Sequence, residues 1–185
     1  MVYIFSESPL EISDSSIQLV DTKVTYSKAI SNPIETSSDI RTYTGEMNEQ
    51  LLKLAFESGV YSRFKSDTRL RQNEFQKLYE IWVKKAWESN AILEVPELRG
   101  MVSFSMEEKS ASIGLIAVDK DSQGKGWGKK LMKAAEAYAA IRGSDQITVV
   151  TQEGNFPACR LYESLGYQLV EKVYVYHYWA GNQID

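Results

Sequence analysis

Cysteine and histidine are nearly missing from this chain of 185 residues, which carries one of each, Cys159 and His177. A single cysteine leaves no intrachain disulfide and no thiolate cluster for a metal. A single histidine makes a zinc hydrolase centre or a His-based nucleophilic triad hard to assemble. Excess positive charge is missing as well. The formal net charge of -4 argues against a nucleic-acid partner, which needs a basic face, although a local cluster of amides and lysines can still hold a small anion. No apolar run approaches the length of a membrane span. The opening stretch from Met1 to Leu10 carries Glu7 and Pro9 and no basic segment, so it does not read as a secretory signal. These absences give the expectation of a soluble cytoplasmic protein without a metal.

The hydrophobic content of 43% is enough for a real core, and the length suits one domain with a small N-terminal elaboration. Ile17-Gln18-Leu19-Val20 and Lys23-Val24-Thr25-Tyr26 alternate as two strands. The segment Ile30 to Asp39 reads as a loop, which sets the expected division into N-terminal strands and linker (1–39) and a main domain (40–185). Beyond it, Leu51, Leu52, Ala55 and Phe56 share a helical face stopped by Gly59. Phe75, Leu78, Tyr79, Trp82, Val83 and Ala86 define a second, stronger amphipathic helix. Ala91–Val95, Met101–Ser105 and Ala111–Val118 read as three strands. A helix through Leu131 to Ile141, a β-branched strand at Ile147–Val150, and a short helix from Asn155 to Leu165 come next. The last has Pro157 near its start and Gly166 just past its end. Tyr167–Val170 and Val173–Trp179 alternate as final strands. This order of elements specifies an α/β protein in which an antiparallel meander leads into a crossover.

The segment Gln123-Gly124-Lys125-Gly126-Trp127-Gly128 lies between a strand and a helix. The first N–H groups of a helix have no internal partner, and the helix dipole adds partial positive charge there. Glycines remove the Cβ atoms that would block a diphosphate, and Lys125, Lys129 and Lys130 add charge. Two other phosphate motifs fail here. No Gly-x4-Gly-Lys-Ser/Thr spacing is present. A Gly-x-Gly-x-x-Gly fingerprint would need glycine at Lys129 or at Leu131. On local physics alone the segment is either an anion site or a surface loop.

Gln123, Gly126 and Gly128 match the Gln/Arg-x-x-Gly-x-Gly/Ala hallmark of the GNAT superfamily of acyltransferases. Asn155, Ala158, Leu161, Tyr162, Leu165, Gly166 and Tyr167 match that family's second signature without a gap. From about Ile40 to Trp179 the sequence therefore resembles a GNAT enzyme. The resemblance implies a mixed, mostly antiparallel sheet splayed into a V, with helices on both faces and acetyl-CoA as co-substrate. It implies that Ile116, Ala117 and Val118 offer backbone groups to the pantetheine arm, and that Gln123 to Lys129 (with Gly124, Lys125, Gly126, Trp127 and Gly128 between them) hold the pyrophosphate. It also implies that Asn155 hydrogen-bonds the cofactor and that Tyr162 stands near the sulfur as general acid. No general base is legible.

The acceptor side is narrowed by Tyr61 to Asp67, by the helix containing Leu78, Tyr79 and Trp82, and by Tyr176-His177-Tyr178-Trp179. These stretches resemble the branch that acetylates nucleotide-linked amino sugars, the TDP-fucosamine type. Arg63 and His177 are the candidate acceptor residues. The alternatives are an N-acetyltransferase for another amine (a protein N-terminus, a polyamine, an antibiotic) and a non-catalytic CoA-binding module. A sugar-nucleotide site calls for positive charge near Arg63, and a polyamine site calls for acid. Taken residue by residue, plainer roles exist: core for Tyr162, Tyr79, Trp82 and Cys159, a packed strand position for His177, a surface cation for Arg63. Many relatives dimerise, so a homodimer through the aromatic C-terminal strand is a further possibility, and whether the N-terminal strands join this chain's sheet or a partner's stays open.

Overall fold

The computed structural model describes residues 1–30, 38–71 and 73–180. Most of the loop expected at Ile30 to Asp39 lies outside the described residues, as do the last five residues of the 40–185 segment. Among the described residues eight strands form one sheet: β1 (Val2–Ser6), β2 (Ile17–Ala29), β3 (Arg41–Thr42), β4 (Ile92–Val95), β5 (Gly100–Glu107), β6 (Ser110–Val118), β7 (Gln146–Gln152) and β8 (Gln168–Tyr178). Among the described residues five α-helices accompany them: α1 (Glu49–Ser58), α2 (Arg63–Ser66), α3 (Glu74–Glu88), α4 (Trp127–Ile141) and α5 (Phe156–Ser164). The spatial order is β1-β8-β2-β7-β6-β5-β4-β3. Every pairing is antiparallel except β6 with β7.

The N-terminal strands join this chain's own sheet. β2 lies between β7 and β8, antiparallel to both. It runs unbroken through Asp21 and Thr22 rather than as two separate strands, because β8 pairs with both residues and the Glu153 N–H donates to the Thr22 carbonyl at 2.8 Å. β8 is likewise one strand, continuous through Glu171 and Lys172. The main-domain segment beginning at residue 40 thus shares a sheet with the residues before it.

Each face of the sheet carries its own core. Val95, Val102, Phe104 and Ile113 pack with Leu131, Met132, Ala135 and Tyr162 of α4 and α5. Ile92, Met101, Leu115 and Ala117 pack with Leu51, Leu54, Phe75, Tyr79 and Val83 of α1 and α3. Successive side chains of a strand alternate between faces, and β6 departs from this rule. Ile113 belongs to one core and Leu115, two residues on, to the other. The cause is a β-bulge. Val102 pairs with Ile116 and Phe104 with Ile113, so one residue of β5 opposes two of β6. Such an extra residue bends its strand and reverses the facing of the residues beyond it. Ser103 Oγ fills the defect by accepting from the Leu115 N–H at 2.9 Å. Gly114 keeps the space beside it open, since a Cβ there would crowd that same Oγ at 3.0 Å.

Trp82 departs from the expected buried face of α3. It is 43% exposed, its ring 5.0 Å from that of Tyr79, while Phe75, Tyr79 and Val83 form the buried stripe.

Candidate active site

The cleft begins where β6 and β7 part. They pair in parallel from Ser110–Gln146 to Ile113–Val149 and no further. β6 continues to Val118 and β7 to Gln152, so the edges that face each other beyond that point lack a ladder partner in one another. Free backbone groups along a widening gap are what an extended amide-bearing chain can pair with.

One half of the gap is a cleft of about 540 Å³. Ile116, Ala117 and Val118 form one wall, and Gln123, Gly124, Gly126, Trp127, Gly128 and Lys129 form its mouth. Asn155, Ala158, Leu161 and Tyr162 of α5 and its cap close the other side, and Ser58 and Tyr61 close the end near α1. Of the expected cofactor residues only Lys125 is outside this lining; its Nζ donates to the Asp121 carbonyl at 2.8 Å.

The glycine segment has the shape its sequence calls for. Gly124 and Gly126 have φ of 75° and 79°, the left-handed region that side chains bearing a Cβ avoid. Gly126 caps α4, and the first internal bond of that helix runs from Lys130 N–H to Gly126 O at 3.2 Å. The amides of Trp127, Gly128 and Lys129 precede that bond and point out of the helix start. Gly128 packs against α5, where a Cβ would meet Leu161 at 3.2 Å. Gln123 Nε2 donates to Val118 O at 3.0 Å, tying the segment back to the end of β6. Asp119 joins it to α1 by accepting from Lys53 Nζ at 2.6 Å and Gln50 Nε2 at 3.2 Å.

Asn155 caps α5. Its Oδ1 accepts from the Ala158 N–H at 3.4 Å and its Nδ2 donates to Thr151 Oγ1 at 3.2 Å. Tyr162, further along the same helix, is 2% exposed. Burial, with Cys159 adding to it, pushes its phenol well above the usual tyrosine range, so the hydroxyl keeps its proton at neutral pH.

A smaller cavity of about 230 Å³ continues from the first, sharing Ser58, Ile116, Asn155, Ala158 and Tyr162 with it. Its far wall holds Asp21 and Lys23 of β2, Arg63 of α2 and Tyr79 of α3. Arg63 Nη1 is 3.8 Å from Asp21 Oδ2, and its guanidinium lies over Phe64 and Tyr3 at 4.7 and 5.4 Å from the ring centroids. The two cavities meet at Tyr162. Two joined compartments can hold two reactants side by side.

A profile of the acetyltransferase (GNAT) family matches residues 46–167. The chain belongs to that family. Over 140 residues, 73% of this chain and 48% of the relative, it is 24% identical to the spore coat polysaccharide biosynthesis protein SpsD of Bacillus subtilis. Over 53 residues, 29% of this chain and 18% of the relative, it is 42% identical to the mycothiol acetyltransferase of Thermobispora bispora. It therefore spans about half the length, or less, of these curated relatives. Among solved structures, a GCN5-related N-acetyltransferase from Sphaerobacter thermophilus superposes with a TM-score of 0.62 at 14% identity, covering 86% of this chain and 52% of that one. That likeness establishes the fold, with the V-shaped mixed sheet and helices on both faces that the GNAT motifs imply.

Two candidate residues separate in this GNAT chain. Arg63 lines the smaller cavity. His177 lies outside both cavities, fully buried on β8, its Nδ1 2.5 Å from Asp67 Oδ2 and its ring edge-on to Tyr3 at 4.9 Å. Asp67 also pairs with Arg69, 3.1 Å from Nε. Burial works against the Asp67 charge, but the Arg69 and His177 hydrogen bonds outweigh it and hold the carboxyl well below the usual range. A carboxylate can only accept, so His177 Nδ1 carries the proton between them. Cys159 is half-buried on α5 with its Sγ toward the Gln152 carbonyl. No helix among the described residues is long and apolar enough to cross a membrane.

Asp21 is the lining residue that sequence reasoning passed over. Its only signal is a carboxylate in mid-strand, between Val20 and Val24, at a position where alternation gives no reason for one. That reads as a break between two strands until β7 and β8 are seen on either side.

Proposed function

We propose that this chain transfers an acetyl group from acetyl-CoA to a primary amine, and that the amine belongs to a nucleotide-linked amino sugar. The observation that carries the reading is the pair of joined cavities meeting at Tyr162, one ending at the start of α4 and the other at Arg63. Acetyl-CoA fits the larger cavity chemically. Outward-pointing amides and Lys129 suit a pyrophosphate, and the unpaired edge of β6 at Ile116 to Val118 suits the amides of a pantetheine arm. Asn155 stands between the two.

In this reading the amine attacks the thioester carbonyl from the smaller cavity. A main-chain N–H of β6 stabilises the charge that develops on oxygen, commonly the largest catalytic contribution in acyl transfer. The departing thiolate takes the proton of Tyr162, whose hydroxyl is kept protonated by burial. The acceptor class is supported by charge. Arg63 and Lys23 line the cavity with Asp21; Lys23 is paired with Glu171 at 3.5 Å, and the Arg63 guanidinium is the cation suited to a diphosphate. It is supported also by the likeness to a protein named for spore coat polysaccharide biosynthesis.

The test is turnover of acetyl-CoA against a panel of nucleotide-linked amino sugars, polyamines and peptides. Preference for the sugar nucleotides upholds the reading. Reaction with polyamines while every sugar nucleotide stays inert would overturn the acceptor and keep the acetyl transfer.

A further inference from the structure

The smaller cavity contains a buried carboxylate with an unpartnered oxygen. Asp21 is 9% exposed on the central strand β2. Its Oδ2 has no hydrogen-bond partner although it is buried. A buried carboxylate oxygen without a donor costs more than almost any other side-chain defect, unless a ligand completes it. The Arg63 guanidinium across the cavity stands off at 3.8 Å from Nη1, beyond hydrogen-bond length. The carboxylate faces the smaller cavity by construction. The register of β2 against β8 shifts between Leu19 and Asp21, a bulge of the kind that re-aims a side chain at a functional site.

We propose that Asp21 is the base of the acetyl transfer: it receives the acceptor's ammonium group and takes its proton. The inference rests on the acetyltransferase reading of the cleft. An ammonium has no lone pair, so one N–H proton passes to Asp21 Oδ2 and leaves a neutral amine. The amine nitrogen then bonds to the thioester carbon, the C–S bond breaks with its electron pair on sulfur, and sulfur takes the Tyr162 proton. The new amide nitrogen sheds its second proton to the Tyr162 phenolate, which restores the hydroxyl. Asp21 returns its proton to water. The products are the amide, the free thiol and one proton released.

The groups facing Asp21 fit this work. Burial raises its carboxyl from the usual range to about 6, against the lowering effects of Arg63 across the cavity, the Thr22 amide, Gln152 of β7 and Lys23 on its own strand. Tyr79 of α3 faces the same cavity. A base with affinity near neutrality is ionised when the amine arrives and still strong enough to accept a proton.

The experiment compares wild type with Asp21→Asn and Arg63→Met. It measures acetyl-CoA affinity by calorimetry, and kcat/KM for the best acceptor from pH 5 to 9. Asp21→Asn is expected to keep acetyl-CoA affinity, to lose ~100-fold or more in kcat/KM, and to lose the acidic limb. Arg63→Met keeps Asp21 but removes a cation that lowers its proton affinity, so the limb should move to higher pH. That variant decides the matter if Asp21→Asn does not fold. An Asp21→Asn enzyme as fast as wild type with the same limb, or a limb unmoved in Arg63→Met, overturns the assignment of Asp21 alone. A wild-type chain that binds no acetyl-CoA overturns the acetyltransferase reading and this inference with it.

Discussion

Ile113 and Val149 are the last residues at which β6 and β7 are partners. One residue further along β6, Gly114 opens the bulge that turns Leu115 to the opposite face. Sheet separation and strand reversal therefore coincide at a single inserted residue held by Ser103 Oγ. Ser103→Ala leaves the Leu115 N–H without its partner in a buried place, an expected loss of about 1–3 kcal/mol. Denaturant unfolding measures it, and an unchanged midpoint would mean that the bulge is held by other contacts.

Tyr162→Phe removes one hydroxyl from a residue whose ring packs between Tyr26 and Tyr167, at 5.7 and 6.1 Å. The ring stays, so the fold should stay. If the hydroxyl protonates the leaving thiolate, kcat falls by ~100-fold or more while the KM for acetyl-CoA changes little. Thiol release followed with a chromogenic disulfide reports both. A kcat within twofold of wild type would remove Tyr162 from the chemistry.

Gly126→Ala puts a Cβ where nothing lies within 4 Å, yet at a φ of +79°. The strain is in the backbone and costs about 1–2 kcal/mol. Relieving it tilts the first amides of α4, so acetyl-CoA should bind roughly tenfold more weakly, since every 1.4 kcal/mol is a factor of ten. Gly154→Ala, also with nothing nearby and no positive φ, is the control and should leave affinity unchanged by calorimetry.

Asp21 gives a pH signature in stability that is independent of catalysis. Its carboxyl is raised on folding, from 3.8 to about 6. Between those values the native state holds more protons than the unfolded chain, so stability falls as pH rises through that window. Asp21→Asn lacks this term. Its Tm relative to wild type should therefore be higher at pH 7.5 than at pH 4, by an amount equivalent to about 1 kcal/mol after allowance for solvent screening. An equal difference at both pH values would mean that Asp21 titrates in the folded chain as it does in the unfolded one.

His177→Ala leaves Asp67 facing a void at the buried end of β8. Breaking one side of a buried polar pair costs about 3 kcal/mol or more. Because His177 lines neither cavity, acetyl-CoA affinity of the folded fraction should match wild type. A variant of normal Tm with weakened acceptor binding would instead return His177 to the site.

The glycine segment and the α5 cap are legible as local shapes, Gly126 through its φ and Asn155 through the amide it caps, while the roles given to Gln123, Asn155 and Tyr162 rest on their match to the GNAT signatures. Short-range rules also read α3 and α4. What escaped was long-range. The place of β2 depends on Val24 meeting Thr151 on one side and Lys172 on the other, more than a hundred residues away. The two-residue strand β3 and the four-residue helix α2 are too short to have a period. Trp82 lies in the helical stripe by spacing, but the cavity below it leaves its ring exposed. Asp21 was hidden for the same reason as β2: its burial comes from partners at the other end of the chain.

The place of β2 also sets an order of events during synthesis. Its partners, β7 and β8, end at Gln152 and Tyr178. Nearly the whole described chain must leave the ribosome before this strand has either neighbour, and until then its edges are open to pairing with other chains. The meander β4-β5-β6 and α4 contain mostly local contacts and can form early. The smaller cavity takes Asp21 and Lys23 from β2, and both cavities take Asn155 and Tyr162 from α5 and its cap, so neither half of the cleft can exist until these late-emerging elements have met the early ones.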